Sequence, residues 1–283
     1  MVVKATPTPP ETQSLEEIEM KLLLEAVSLR YGYDFRDYAL GPLRRSIATG
    51  MAGEAVTTIS AYQDRLLHDS GSMQRFLGTV GVNVSSMFRE PDTWRCLREE
   101  IVPMLRTYPS LRIWSVGCAT GEEVYSLAIM LQEEGLYQRS SIYATDMNED
   151  ALAIARVGAC PVDRMRSYER DYERSGGELS LETHFTTAGR MARLKRNLLH
   201  NVTWAQHNLV TDSSFNEFHL IVCTNVLIYF RPTLQQRAHR LFYESLIRSG
   251  FLALGRRESL VFAPESSRYE PVRGGVSVFR KVR

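Results

Sequence analysis

Residues Ile113 to Tyr125 read Ile-Trp-Ser-Val-Gly117-Cys-Ala-Thr-Gly121-Glu-Glu-Val-Tyr, a short apolar run followed by two glycines and the opening of an amphipathic stretch. The pattern predicts a strand that enters a tight turn and leaves it along a helix, the first step of a doubly wound α/β sheet. Glycines let the backbone come close to a ligand, and N–H groups at a helix start face its polar atoms, so a bound nucleoside is the natural expectation. The motif is not G-x-G-x-x-G, and no Lys-Ser/Thr follows Gly121 to hold a phosphate. Glu122 and Glu123 would repel phosphate and attract a cation. S-adenosylmethionine carries an ammonium and a sulfonium where a dinucleotide carries a pyrophosphate. The plainer reading is that the two acids answer the dipole of the helix's first turn.

Around this motif, from about Leu111, short apolar runs alternate with amphipathic helices, as in a mostly parallel sheet with crossovers. Strands are expected at Leu111–Val116, Ser141–Thr145, Val202–Gln206, His219–Thr224 and Phe251–Gly255, with Val276–Lys281 as a final edge strand. Helices are expected at Glu122–Glu134, at Glu149–Val157 between Asn148 and Gly158, and at Thr233–Arg248 closed by Gly250. Between Pro161 and Asn201 lies a polar, Arg-rich insertion around Gly176-Gly177, too long for a plain connection and read as a small subdomain at about 161–201. Residues 1–13, with Thr-Pro-Thr-Pro-Pro among them, read as a disordered lead. Ser14 and Glu17 then form a capping box, and Leu15, Ile18, Leu22, Ala26 and Leu29 mark one face of a first helix. Weaker helical patterns at Leu43/Ile47/Met51, Ile59/Tyr62/Leu66 and Met73/Phe76/Leu77/Val80 complete an all-helical domain with its linker, 14–90, ahead of an α/β domain at 91–283.

Composition removes several classes of function. Lys plus Arg number 34 against 33 Asp plus Glu, so a net charge of +1 supplies no field for nucleic acid or an anionic membrane. No apolar run reaches the roughly 18–20 residues a membrane helix needs, and Met1 to Glu11 lacks the apolar core of a signal peptide, which predicts a cytoplasmic protein. Cys96, Cys118, Cys160 and Cys223 are too scattered for a zinc site or a disulfide framework, and six histidines show no ligand spacing, so no metal is expected.

The second predicted strand ends in Tyr143-Ala-Thr-Asp146, 25 residues past Gly121, where doubly wound folds place an acid that takes hydrogen bonds from ribose hydroxyls. Asp146 is the ribose candidate, and helix capping is the competing role, for which Asn148 is already well placed. Because such sheets bind ligands beyond the carboxyl ends of their strands, Asn208-Leu209 and Asn225 to Tyr229 should rim the same cleft.

Asn83-Val-Ser85-Ser-Met-Phe-Arg89-Glu90, the Gly117 to Glu123 turn, Asp146, His207-Asn208-Leu209 and Cys223-Thr-Asn225-Val-Leu-Ile-Tyr229-Phe230 together resemble the chemotaxis receptor methyltransferase (CheR) family, in order, from about residue 15 to the C-terminus. The resemblance implies a helical N-terminal domain, a class I methyltransferase domain with a mostly parallel, Rossmann-like sheet and an antiparallel last strand, and an inserted β-subdomain. It implies a cofactor site of Asn83, Ser85, Arg89, Gly117, Glu122, Asp146, Asn208, Leu209, Thr224 and Asn225, with Glu123 as the alternative to Glu122, and catalytic places for Arg89 and Tyr229. Ser85 stands where the family has Thr, His219 where it has an acid, and Thr224 where it has an Arg. The loss of an Arg removes several donors and a charge.

The implied reaction is transfer of a methyl group from S-adenosyl-L-methionine to glutamate side chains on the cytoplasmic domain of a methyl-accepting chemoreceptor, by a monomer, leaving S-adenosyl-L-homocysteine. A glutamate side chain, which ordinarily titrates near about pH 4.3, is ionised at neutral pH and needs no general base, so alignment is the main task, worth on the order of 7–11 kcal/mol. Arg89 could hold the carboxylate or the cofactor and Tyr229 could line the methyl path; by itself Tyr229 reads equally as a packed ring after a buried strand. Two alternatives remain: a small-molecule methyltransferase, and a catalytically weak regulator, which His219 and Thr224 motivate. Residues 15–90 hold 8 basic and 10 acidic residues, with only Arg44-Arg45 adjacent, so the basic docking face of the family is less evident here.

Overall fold

The computed structural model describes residues 14–80 and 85–282, so the lead expected at 1–13 and the candidate Asn83 lie outside the described residues. Helix α1 (Leu15–Tyr31) opens on the capping box, Ser14 Oγ accepting from Glu17 N–H at 3.3 Å and the Glu17 carboxylate from Ser14 N–H at 3.2 Å. Its packed face is Met20, Leu23, Leu24 and Val27. The face expected to pack is the outer one: Leu15, Leu22 and Leu29 are 73%, 56% and 80% exposed. The helix is apolar on two opposite sides, and periodicity alone does not say which meets the core. Helices α2 (Leu40–Gly53), α3 (Ile59–His68) and α4 (Ser70–Val80) bury Leu43 and Ile47, then Ile59, Tyr62 and Leu66, then Met73, Phe76, Leu77 and Val80.

After the linker, α5 (Pro91–Cys96) runs through a π turn at Leu97–Ile101 into α6 (Val102–Leu105). The main sheet has β1 (Leu111–Val116) at its centre, parallel to β2 (Ser140–Asp146) on one side and β7 (Phe218–Cys223) on the other. β6 (Val202–Gln206) extends it beyond β2 and β8 (Leu246–Leu254) beyond β7, both parallel. β10 (Val278–Lys281) then pairs antiparallel with β8, and β9 (Tyr269–Pro271) with β10. The order β6-β2-β1-β7-β8-β10-β9 reverses direction at β1, which opens a crevice at the carboxyl ends of β1 and β7. Every residue of β7 is buried, as a strand covered on both faces requires. On one face the core is continuous with the N-terminal helices, with Leu23, Phe76, Trp114, Phe218 and Leu252 in a single cluster.

Helix α7 (Glu122–Glu133) follows the glycine turn, and α8 (Glu149–Val157) lies between Asn148, whose side chain accepts from Asp150 and Ala151 N–H, and left-handed Gly158. Several boundaries differ from expectation: β2 runs one residue further at each end, β7 lies one residue earlier, β8 starts at Leu246 and β10 at Val278. α10 (Pro232–Ser245) stops before Arg248, and Gly250 is not a cap but lies inside β8, next to an irregularity in the pairing at Phe218/Leu220. Residue 249, a left-handed serine with φ 63°, takes up that irregularity. The final edge is β9, because a three-residue strand after the Ser266–Arg268 turn folds back along β10. The insertion holds a three-stranded antiparallel sheet of β3 (Ala159–Pro161), β5 (Met191–Leu194) and β4 (Phe185–Ala188). It also holds α9 (Val162–Arg174), whose inner face is Met165, Tyr168 and Tyr172. Among the described residues no helix is long and apolar enough to cross a membrane, and the four cysteines are buried and unpaired.

Candidate functional site

The turn after β1 winds through three positive-φ residues, Gly117 at 66°, Ala119 at 47° and Gly121 at 97°. A side chain at Gly117 would bring its Cβ within 2.6 Å of Val226, so only glycine lets the β1 and β7 loops approach this closely. Asp146 at the end of β2 locks the turn: its Oδ2 accepts from Ala119 N–H at 2.9 Å and its Oδ1 from Asn148 N–H at 2.9 Å. Burial raises the Asp146 carboxyl above the ordinary range, against the pull of these backbone bonds.

Two adjoining cavities meet at Gly117, Ala119, Asn225 and Tyr229. The first is mainly apolar, walled by Val116, Met147, Leu209, Val226 and Phe230, with Asp146, His207 and Asn208 among its polar groups. The second is polar, with Ser85, Arg89, Glu123 and Thr224 around it. Of the candidates named from sequence, Asp146, Asn208 and Leu209 line the first cavity, Ser85, Arg89 and Thr224 the second, and Gly117, Asn225 and Tyr229 both. Glu122 lines neither. Its carboxylate turns back to accept from Thr120 Oγ1 at 2.6 Å, and it is 5% exposed. Glu123, one residue and 100° further round the helix, faces the polar cavity instead. Thr224 Oγ1 donates to its Oε2 at 2.6 Å and Ser115 Oγ to its Oε1 at 2.7 Å. Burial pushes this carboxyl up to about 7; the two hydroxyls oppose the shift, and the charges of Glu258 and Glu90 add to it.

Arg89 is held between two left-handed residues, Phe88 at φ 50° and Glu90 at φ 58°. Such conformations cost on the order of 1–3 kcal/mol and persist only where neighbours impose them. Phe88 is fixed by its N–H to Ser126 Oγ at 2.9 Å and by ring contacts with Trp94 and Tyr172 at 5.4 and 5.1 Å, while Trp94 Nε1 donates to the Arg89 carbonyl at 2.9 Å. The Arg89 side chain reaches the cavity without an ion pair among the described residues.

Sequence reasoning had no signal for Tyr38, which enters the first cavity from the N-terminal helical part. Residues 37–39 bridge to 229–231: Ala39 N–H donates to the Tyr229 carbonyl at 2.7 Å, Arg231 N–H to the Asp37 carbonyl at 2.9 Å, and the rings of Tyr38 and Phe230 meet at 5.0 Å. The two departures at β7 differ in place. His219 is at the start of the strand, away from the crevice, and its Nδ1 accepts from Arg112 N–H at 3.1 Å. Thr224 is at the crevice and is satisfied by Glu123.

The residues suit a nucleoside joined to an ammonium-bearing chain. An apolar slot ends at the Asp146 carboxylate, an acid occupies the polar chamber, and Asn225 Oδ1 and His207 Nδ1 are buried with no partner among the described residues. Orphaned polar atoms of this kind call for a ligand or water.

Comparison with known proteins agrees. The family described as CheR methyltransferase, SAM binding domain, matches residues 83–274, and CheR methyltransferase, all-alpha domain, matches residues 18–80. Cher3 of Pseudomonas putida is 46% identical over 94% of this chain and 97% of its own length. The chemotaxis protein methyltransferase of Listeria monocytogenes is 30% identical over 81% of this chain and 86% of its own. The chain belongs to the CheR methyltransferase family, and its cofactor is S-adenosylmethionine.

Proposed function

We propose that this protein methylates glutamate side chains on the cytoplasmic domain of a methyl-accepting chemoreceptor. The observation that carries this reading is Arg89: a guanidinium with no carboxylate partner among the described residues, set at the polar cavity beside Tyr229. An incoming carboxylate would supply the missing partner, and a planar fork of donors suits its two oxygens. The name of the Listeria relative, chemotaxis protein methyltransferase, supports a place in chemotaxis.

In this reading Asp146 accepts from the ribose, with Asn208 and Leu209 along the apolar slot, and Glu123 and Asn225 take the ammonium end, Glu123 replacing Glu122 in that role. Ser85 and Gly117 complete the walls. S-adenosylmethionine supplies an activated methyl group when bound. What this chain contributes is orientation and exclusion of water, since a carboxylate nucleophile is ionised at neutral pH and brings its own electron pair. Arg89 fixes the carboxylate and Tyr229 bounds the path. The test is incubation with labelled cofactor and receptor cytoplasmic domains. Base-labile label released as methanol is the expected result; base-stable label, or label only on small molecules, would overturn the glutamyl substrate.

A further inference from the structure

Glu258 lines neither cavity, yet it holds the loop that lines both. After β8 ends at Leu254 the chain turns, and the Glu258 carboxylate passes beneath the residues that follow β7. Its Oε1 accepts from Val226 N–H at 2.8 Å and Leu227 N–H at 2.7 Å. Its Oε2 accepts from Asn225 N–H at 3.0 Å and Gly255 N–H at 2.7 Å. The residue is 5% exposed, and burial raises its carboxyl while the four backbone bonds oppose the rise. A carboxylate has about four lone-pair sites, so this one is saturated by main chain alone.

The loop needs that anion. Three successive N–H groups, 225 to 227, converge on one point, and Asn225 is left-handed at φ 61°, a conformation that costs a non-glycine residue free energy and must be held. The space around the carboxylate is also fully used. A Cβ on Gly255 would lie 2.7 Å from Glu258 Oε2 and 2.9 Å from Asn225 Nδ2. From the other side Glu90 takes Arg256 N–H at 2.7 Å and Asn225 Nδ2 at 3.4 Å.

We infer that Glu258 is a positioning residue for the cofactor site: by gathering the amides of 225–227 it fixes Asn225 in its left-handed form and aims its side chain into the cleft. The inference rests on the reading of that cleft as the S-adenosylmethionine site. A merely structural glutamate would lower the melting temperature and leave the affinity of the folded protein alone, whereas a positioning one changes the affinity of molecules that remain folded.

The experiment compares full-length wild type, Glu258→Gln, Gly255→Ala and the double variant. Each is titrated with S-adenosylhomocysteine in a calorimeter at a temperature where its circular-dichroism melt shows it folded. Each single variant should bind about tenfold or more weakly, the loss expected when a charged group's bonds to a site loop are broken. The double variant should fall short of the product of the two losses, because both act on one loop. If Glu258→Gln does not fold, Gly255→Ala decides alone, since it disturbs the same contacts and leaves the charge in place. Folded variants within about twofold of wild type would overturn the positioning role and leave the cofactor site standing. A wild type that binds no S-adenosylhomocysteine would remove both.

Discussion

The hydroxyl of Thr224 donates to Oε2 of Glu123 at 2.6 Å, closing a contact between the first turn of α7 and the end of β7 across the polar cavity. Burial is the main cause of the Glu123 shift from 4.5 to about 7. A folded-state value above the unfolded one means that the protonated form stabilises the fold, fully below about pH 4.5, and that this contribution is lost as pH rises through about 7. Glu123→Gln should therefore be more stable than wild type at pH 8, on the order of 1–3 kcal/mol by urea titration. It should also bind S-adenosylhomocysteine more weakly. Equal stability at pH 8 would mean that Glu123 ionises as an ordinary surface acid.

The same ionisation separates binding from turnover. Affinity for a cationic cofactor should rise as pH rises through about 7 and Glu123 becomes charged. Single-turnover rates at saturating cofactor should stay nearly flat from about pH 6 to 8, because a glutamate substrate is already ionised there. An amine nucleophile would instead gain about tenfold per unit. A steep single-turnover profile in a protein that stays folded would point away from a carboxylate.

Asp146→Ala removes a carboxylate that organises two loops while facing the apolar cavity. We expect S-adenosylhomocysteine affinity to fall by about 1.5–3 kcal/mol in calorimetry. Undiminished binding by the folded variant would take the ribose role from Asp146.

Gly117→Ala would press a methyl group to 2.6 Å from Val226 at a backbone φ of 66°. Strain of about 1–3 kcal/mol should appear in chemical denaturation, together with weakened cofactor binding, since this residue borders both cavities. A variant as stable as wild type would show that the β7 loop gives way easily.

On α1, two neighbouring leucines should behave oppositely. Leu22→Gln, on the outer face, should change stability by no more than about 0.5 kcal/mol. Leu23→Ala, fully buried, should cost about 2–5 kcal/mol in the same denaturation measurement. The reverse order would restore the face suggested by the leucine spacing.

That helix marks where sequence reading stops. Ser14 and Glu17 set its start through local bonds, and local bonds are legible. Which of two apolar stripes packs is decided by α3 and by the core beyond it, and no local rule contains that. The strands β1 and β6 are legible to the residue because apolar runs there end at a glycine turn or at polar residues. Gly250 misleads because a glycine after a helical pattern usually caps it, whereas here it lies inside β8, where a Cβ would come within 3.1 Å of the Phe218 carbonyl. Met165, Tyr168 and Tyr172 carry a helical spacing that the surrounding arginines obscure. At the site, the choice between Glu122 and Glu123 is a matter of helix rotation, fixed only once α7 is packed against the sheet. Tyr38 reaches the crevice, and Glu258 the loop that rims it, by long-range folding, and neither has a motif of its own.

The bridge between residues 37–39 and 229–231 bears on how this protein could be re-engineered. Both of its hydrogen bonds join main-chain atoms, so neither asks for a particular side chain. These two bonds therefore survive a change of amino acid on either side as long as the two backbone paths remain in register. A helical segment borrowed from a distant relative would thus be judged by the course of a few loop residues, and high identity elsewhere would not rescue a graft in which that course shifts. The loop bearing Tyr229 would lose its outer support, and Phe230 would face water where it now meets Tyr38.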